Sequence, residues 1–240
     1  MNCAYNQLDI LPDISTVIIL DCSHNNLKYL PDDILSVTNL DCGDNFISTL
    51  PPLPNIKYLN CSNNQLRDFS TMSSQLQIMN CSGNLLSSFP DDIDYRMVRQ
   101  LICSNNMFHT LPKMPNIEEL YCEHNELVEL PDMPMIYYLY CSDNNLQTLP
   151  RNMANIYILE CANNELKFIP EMDTIEVLNC SSNFITRLPE AFPNIEELNC
   201  SDNPITTLPS DLSGILYLYC KDTFIHQLPD MPNLQDIVWV

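Results

Sequence analysis

The sequence predicts a solenoid of the α/β class, a ladder of short parallel strands joined by extended connectors with little helix. Three observations predict it. Twelve cysteines recur at intervals of 19 or 20 residues, with one interval of 22; each ends a short apolar run of period two; and a proline stands nine residues after eleven of the twelve. Self-similarity at a fixed period of roughly 20 to 50 residues is the mark of architectures in which each repeat stacks on the next.

Aligning on Cys3, Cys22, Cys42, Cys61, Cys81, Cys103, Cys122, Cys141, Cys161, Cys180, Cys200 and Cys220 gives the elements of one repeat in order. Two residues before each cysteine stands Leu or Met, and five before stands a further apolar residue, from Val17 to Ile215. The Leu-x-Cys alternation puts Leu and Cys on one face of a strand and their neighbours on the other, so each repeat supplies one rung of a parallel sheet. One rung cannot bury its own apolar face, and stacking makes the core. Cysteine fills an inward position as a small, polarizable hydrophobe.

Three residues after the cysteine comes asparagine, at Asn6, Asn25, Asn45, Asn64, Asn84, Asn106, Asn125, Asn144, Asn164, Asn183 and Asn203, with Thr223 the exception. Its amide is expected to turn inward and bond backbone groups of its own and adjacent loops. Each such group left unpaired would cost about 1 to 3 kcal/mol. Thr223 can do only part of this. Apolar residues follow five and eight positions after the cysteine, and then the proline, replaced once by Ser70. Proline fixes φ and removes a donor, which predicts an extended outer arc. The 22-residue interval, "CSGNLLSSFPDDIDYRMVRQLIC", is the place with room for a helical turn. A truncated thirteenth unit begins at Leu234 and Ile237, with Trp239 in the cysteine's place.

The unit reads IxxLxCxxNxLxxLP, with connectors such as "LPKMP" and "LPDMP". It resembles the leucine-rich repeat family, in its short class of about 20 residues with LPxLP-type connectors, similar to those of bacterial effector proteins. The resemblance covers the chain and implies a right-handed superhelix with strands on the concave face and polyproline-like connectors on the convex face. It also implies a noncatalytic protein-interaction module. Effectors of this class commonly carry helical capping segments, and some carry a ubiquitin-ligase domain; the expectation here is one domain spanning residues 1–240, about twelve repeats and the partial thirteenth. The uncapped ends predict weak end-to-end self-association.

Composition narrows the function. There are 10 basic and 31 acidic residues, a formal net charge of −21, which opposes nucleic acid and anionic membrane and favours a protein with a basic surface. No apolar run reaches the roughly 18 to 20 residues of a membrane span. The start, "MNCAYNQLDILPDIS", has neither a basic head nor a signal-type apolar stretch, so the expected location is the cytoplasm, that of a host cell for a pathogen- or virus-encoded chain.

Cysteines without a CxxC pair or a Cys/His set at ligand spacing do not suggest zinc, and same-face neighbours about 4.8 Å apart do not suit disulfides. Buried free thiols fit better. His24, His109, His124 and His226 fall in different repeats, and no metal, cofactor or catalytic set is expected. Asn-Cys-Ser triplets at Asn60, Asn80, Asn179 and Asn199 match a glycosylation acceptor but are by-products of the repeat.

Binding information then lies in the outward residues three and one before each cysteine and one and two after it, which are expected to pave the concave face. In the first rungs these are small and polar, as at Asp21 and Ser23, or Asn60 and Ser62. Later they include Ile102, then Glu119, Tyr121 and Glu123, then Tyr138 and Tyr140, then Ile158 and Glu160, with Tyr217 and Tyr219 as a second cluster. Tyrosine is enriched at interaction hot spots, and carboxylates around it select basic side chains. The predicted function is capture of a basic protein or peptide on this face. The alternatives are an adaptor that presents a bound protein to an enzyme supplied in trans, and a self-assembling structural repeat.

Overall fold

The computed structural model describes all 240 residues except Asp13, Ser70 and Val240, so the one break in the proline column lies outside the described residues. Two compact units divide the chain, Met1–Ile117 and Glu118–Val240. In the first, β1 (Ile19–Asp21), β2 (Asn39–Asp41), β3 (Tyr58–Asn60), β4 (Ile78–Asn80) and β5 (Gln100–Ile102) pair in parallel, each with the next. The first repeat adds an isolated bridge from Asn2 to Asp21.

The second unit holds β6 (Glu119–Tyr121), β7 (Tyr138–Tyr140), β8 (Ile158–Glu160), β9 (Val177–Asn179), β10 (Glu197–Asn199), β11 (Tyr217–Tyr219) and β12 (Asp236–Val238), again parallel and in chain order. The truncated repeat thus forms a rung, with Ile237 opposite Leu218. In both units the register sets leucine or methionine beside its counterpart, as Leu120 beside Leu139 and Leu59 beside Met79. This is the stacked-repeat solenoid that the period predicts.

Each strand is three residues long because the backbone turns soon after it. The residue two past every cysteine lies in the left-handed region: Tyr5, His24, Asp44, Asn63, Gly83, Asn105, His124, Asp143, Asn163, Ser182, Asp202 and Asp222 all have φ between 51° and 64°. Most L-residues resist this conformation, while Asn, Asp and His tolerate it best. The column is rich in those three, and glycine supplies it once. The outward paving expected of this position gives way to a turn that swings the chain off the sheet.

That turn carries the following asparagine inward. Asn144 Nδ2 donates to the carbonyls of Cys122 at 2.9 Å, Cys141 at 3.2 Å and Ser142 at 3.2 Å, and its Oδ1 accepts from Leu127 N–H at 3.0 Å. Asn25, Asn45, Asn64, Asn84, Asn106, Asn164 and Asn183 repeat the three donations to carbonyls of their own and the preceding repeat, and so does Asn203. Asn125 donates to the carbonyls of Cys122 and Glu123. At the end of the series Thr223 Oγ1 donates to Cys220 O at 2.8 Å, and a threonine has no second donor to reach the neighbouring loop.

The core is the stack of inward columns. Every cysteine from Cys22 to Cys220 is fully buried, and Cys3 is half-buried. Burial pushes the thiols up, those of Cys22, Cys61 and Cys180 to about 12, because a dry interior disfavours thiolate. A further core column lies eight residues before the cysteine, where Leu53, Met114, Met133, Met153, Met172 and Leu212 are buried. The carbonyls of Leu53, Met114, Met133, Met153 and Leu212 accept from the residue three on, as Met114 O from Ile117 N–H at 3.1 Å, which turns the connector into the next strand. The methionine of "LPKMP" is therefore core rather than spacer.

A second amide ladder runs over the connectors, where Asn55, Asn116, Asn155, Asn194 and Asn233 each donate to a carbonyl of the preceding repeat at 2.7 to 3.1 Å. The 22-residue interval holds the one helical turn among the described residues, a 3-10 turn at Tyr95–Met97 capped by Asp94, whose Oδ1 accepts from Arg96 N–H at 3.0 Å. The added length seats Tyr95 edge-on to Phe89 at 5.9 Å, and Phe89 stacks on Phe108 at 4.6 Å.

Candidate functional site

Three outward columns cover the strand face, at three residues before, one before and one after each cysteine. The middle column decides its chemistry. In seven repeats it is Asn or Asp, namely Asn2, Asp21, Asp41, Asn60, Asn80, Asn179 and Asn199. In all seven, Oδ1 accepts the backbone N–H two residues on, at 3.0 to 3.2 Å. Such Asx turns spend the side chain on its own backbone. Asn60 Nδ2 also donates to Asp41 Oδ1 at 3.0 Å, so this stretch of the face is a self-satisfied polar lattice.

The other five repeats give up that bond. They carry Ile102, Tyr121, Tyr140, Glu160 and Tyr219. Two of the freed N–H groups find a hydroxyl of the preceding repeat, Ala162 N–H donating to Ser142 Oγ at 3.1 Å and Lys221 N–H to Ser201 Oγ at 3.2 Å. Each replaced side chain is released to stand out from the sheet.

Within the second unit the replacements form a patch over β6, β7 and β8. Register places Glu119 beside Tyr138 and Tyr138 beside Ile158 in one column, and Tyr121 beside Tyr140 and Tyr140 beside Glu160 in the next. The rings of Tyr121 and Tyr140 stack, with centroids 4.7 Å apart and planes within 6°. All of these residues are half-buried, as is Glu123. Ile102 ends β5 in the first unit, where it is half-buried. Tyr217 and Tyr219 lie on β11 beside Glu197 and Asn199, and Tyr217 hydroxyl donates to Gln235 Oε1 at 3.1 Å.

The patch is acidic in its field. Burial is the largest cause raising the Tyr121 phenol, followed by Glu119; for Tyr140 burial is followed by Glu160 and Glu123. Glu160 is itself raised, first by burial, against a hydrogen bond with the Asn179 side chain, and further by Glu197 and Glu123. A cation placed beside Glu160 would offset the repulsion from Glu197 and Glu123 and favour its charged form.

Sequence reasoning missed one part of the face. It described the first rungs as small and polar, yet Ile19 is 60% exposed and Tyr58 39% exposed, and with Ile78 they line a shallow groove of about 370 Å³ over β1 to β4. The signal was present three residues before each cysteine.

Two of the four histidines pair within their column. His24 Nε2 lies 3.5 Å from Asp44 Oδ2 and its ring stacks on Tyr5 at 4.2 Å; His124 Nδ1 lies 3.6 Å from Asp143 Oδ2. Among the described residues no three His, Cys, Asp or Glu gather as a metal site would need, and no helix is long and apolar enough to cross a membrane.

Parallel rungs of Leu-x-Cys, an amide ladder behind each rung and extended outer connectors are the architecture of a leucine-rich repeat solenoid. Residues 35–74 and 173–214 match the model of the family described as leucine-rich repeats in two copies. Among solved structures the chain is similar to YopM from Yersinia enterocolitica WA-314, at 26% identity and a TM-score of 0.81 over 98% of this chain and 58% of that one. It is also similar to YopM from Yersinia pestis, a leucine-rich effector protein, at 28% identity and a TM-score of 0.83 over 96% and 68%. A third is the functional domain of InlJ from Listeria monocytogenes, which includes a cysteine ladder, at 25% identity and a TM-score of 0.77 over 87% and 49%. The chain thus spans little more than half the length of the first of these. None of the curated proteins matches the sequence.

Proposed function

We propose that this chain is a noncatalytic protein-interaction module that captures a basic protein or peptide on the strand face of β6 to β8. One observation carries the reading. Over these rungs the face abandons the Asx turn that seven other repeats use, and sets stacked tyrosines and carboxylates in its place. The Asx bond ties a side chain to its own backbone, so its absence on three successive rungs leaves the outward side chains there available to a partner. Tolerance of tyrosine on strands explains a single ring but not a stacked pair bordered by acids.

The outward columns of the second unit carry Glu119, Glu123, Glu160, Glu197 and Asp236 against one basic residue, Lys221, whose Nζ lies 3.6 Å from Asp222 Oδ2. Such a field steers cationic partners and rejects anionic ones. Likeness to a Yersinia effector supports a role in the cytoplasm of a host cell, and twelve free thiols suit a reducing compartment.

The test is affinity capture from cell lysate with the native chain and with the Tyr121→Ala/Tyr140→Ala double variant. Basic proteins recovered by the native chain and lost by a folded variant support the reading. Equal recovery by both removes the patch from consideration.

A further inference from the structure

The tyrosine pair is one-sided. β7 lies between β6 and β8, and Tyr121 from β6 covers one face of the Tyr140 ring. The other face looks toward β8, where the column continues with Glu160 in place of a third ring. A planar cation would extend the stack at that position, with its edge turned to the Glu160 carboxylate. A guanidinium is flat, stacks on a tyrosine face and presents paired N–H groups along its edge. An ammonium is a compact, strongly hydrated point charge that cannot stack as a plane on the ring and gains less from it.

We propose that the β6 to β8 patch is an arginine-reading site, in which Tyr140 stacks on a guanidinium of an extended peptide and Glu160 receives its N–H edge. The proposal rests on the reading of this face as a basic-partner surface and narrows it to one side chain. Asn179, opposite Glu160 on β9, holds the carboxylate through its side chain, so the acceptor is positioned before the ligand arrives. Ile158, beside Tyr138 in the neighbouring column, gives the aliphatic stem of the arginine an apolar surface to lie on.

The probes are hexa-arginine and hexa-lysine, titrated into the full chain at one ionic strength and followed by calorimetry and by the tyrosine ring signals in NMR. Hexa-arginine is expected to bind about tenfold more tightly, the size of a partly desolvated cation–π contact. Tyr140→Leu should bring the ratio below about threefold, while Tyr140→Phe, which keeps the ring, should preserve it. Glu160→Gln should weaken both peptides, arginine more. Equal affinities for the two peptides would overturn arginine reading and leave the basic-partner surface standing. Failure of both peptides to bind would remove the surface and the proposal together. An arginine preference that survives in a folded Tyr140→Leu chain would place the recognition elsewhere.

Discussion

Tyr121 and Tyr140 stand on adjacent rungs with their rings 4.7 Å apart and nearly parallel, a separation set by the spacing of the strands beneath them. The backbone therefore pre-orders the pair, and little rotamer entropy remains to be lost when a partner arrives. Truncating both to alanine is expected to weaken partner capture at least about 30-fold, as for interface hot spots. Stability should change less, because stacking of the half-buried pair contributes about 0.5 to 1.5 kcal/mol beyond the area it buries, or a few degrees in Tm for a chain of this length. Capture assays and thermal melts of the double variant check both halves.

The asparagine ladder makes a sharper stability prediction. Asn144→Ala removes three donations and one acceptance inside buried backbone. A loss of about 3 kcal/mol is expected, read as a fall in the urea midpoint. Thr223→Asn runs the other way. It would restore the second donor and the acceptor missing from the last full repeat, with an expected gain of about 1 kcal/mol.

The left-handed column can be tested at its extremes. Ser182 sits at φ 53° with no special aptitude for that region, so Ser182→Gly should stabilise by about 0.5 to 1 kcal/mol, the relief of strain less the entropy of glycine. Gly83→Ala should destabilise by at least about 1 kcal/mol. Its backbone is at φ +64°, and a Cβ there would collide with Asn63 Oδ1. Urea titrations of the two variants should move their midpoints in opposite directions.

Glu160 gives a pH dependence. Burial raises its carboxyl above the ordinary value of 4.5, so the folded chain holds this proton where the unfolded chain has lost it. The neutral form favours folding: the contribution is fully present below the unfolded value and is lost as pH rises through the folded one. Glu160→Gln should therefore stabilise the chain at pH 7 relative to the native residue, with the difference fading on acidification toward pH 4. Capture of a basic partner has the opposite dependence, since it needs the carboxylate, and should fall off at a higher pH than for an ordinary glutamate. Melts and binding isotherms across this range separate the two effects.

How much of this was legible beforehand depends on whether a residue's role is repeated. Leu20, Cys22, Asn25, Leu27 and Leu30 have counterparts in nearly every repeat, and twelve aligned copies average out local exceptions. The left-handed column was visible as an excess of Asn, Asp and His two after the cysteine, but reading it as surface hid the turn. Met114 and Met133 looked like connector filler because proline flanks them, and only the turn hydrogen bonds at Ile117 and Ile136 reveal them as core. The Tyr121 and Tyr140 pair could be named from the columns alone. The Asx turns it replaces could not, since they depend on where Oδ1 points.

The file of buried thiols has a consequence for the life of the molecule. Unfolding would bare eleven sulfurs that the native chain keeps dry, strung along the polypeptide at near-equal spacing. In an oxidising medium they would cross-link at random and trap the opened chain, whereas in a reducing one the same excursion is harmless. Refolding is thus reversible only where thiols stay reduced, and the environment in which this protein can recover from damage is fixed by the side chain chosen to fill its interior.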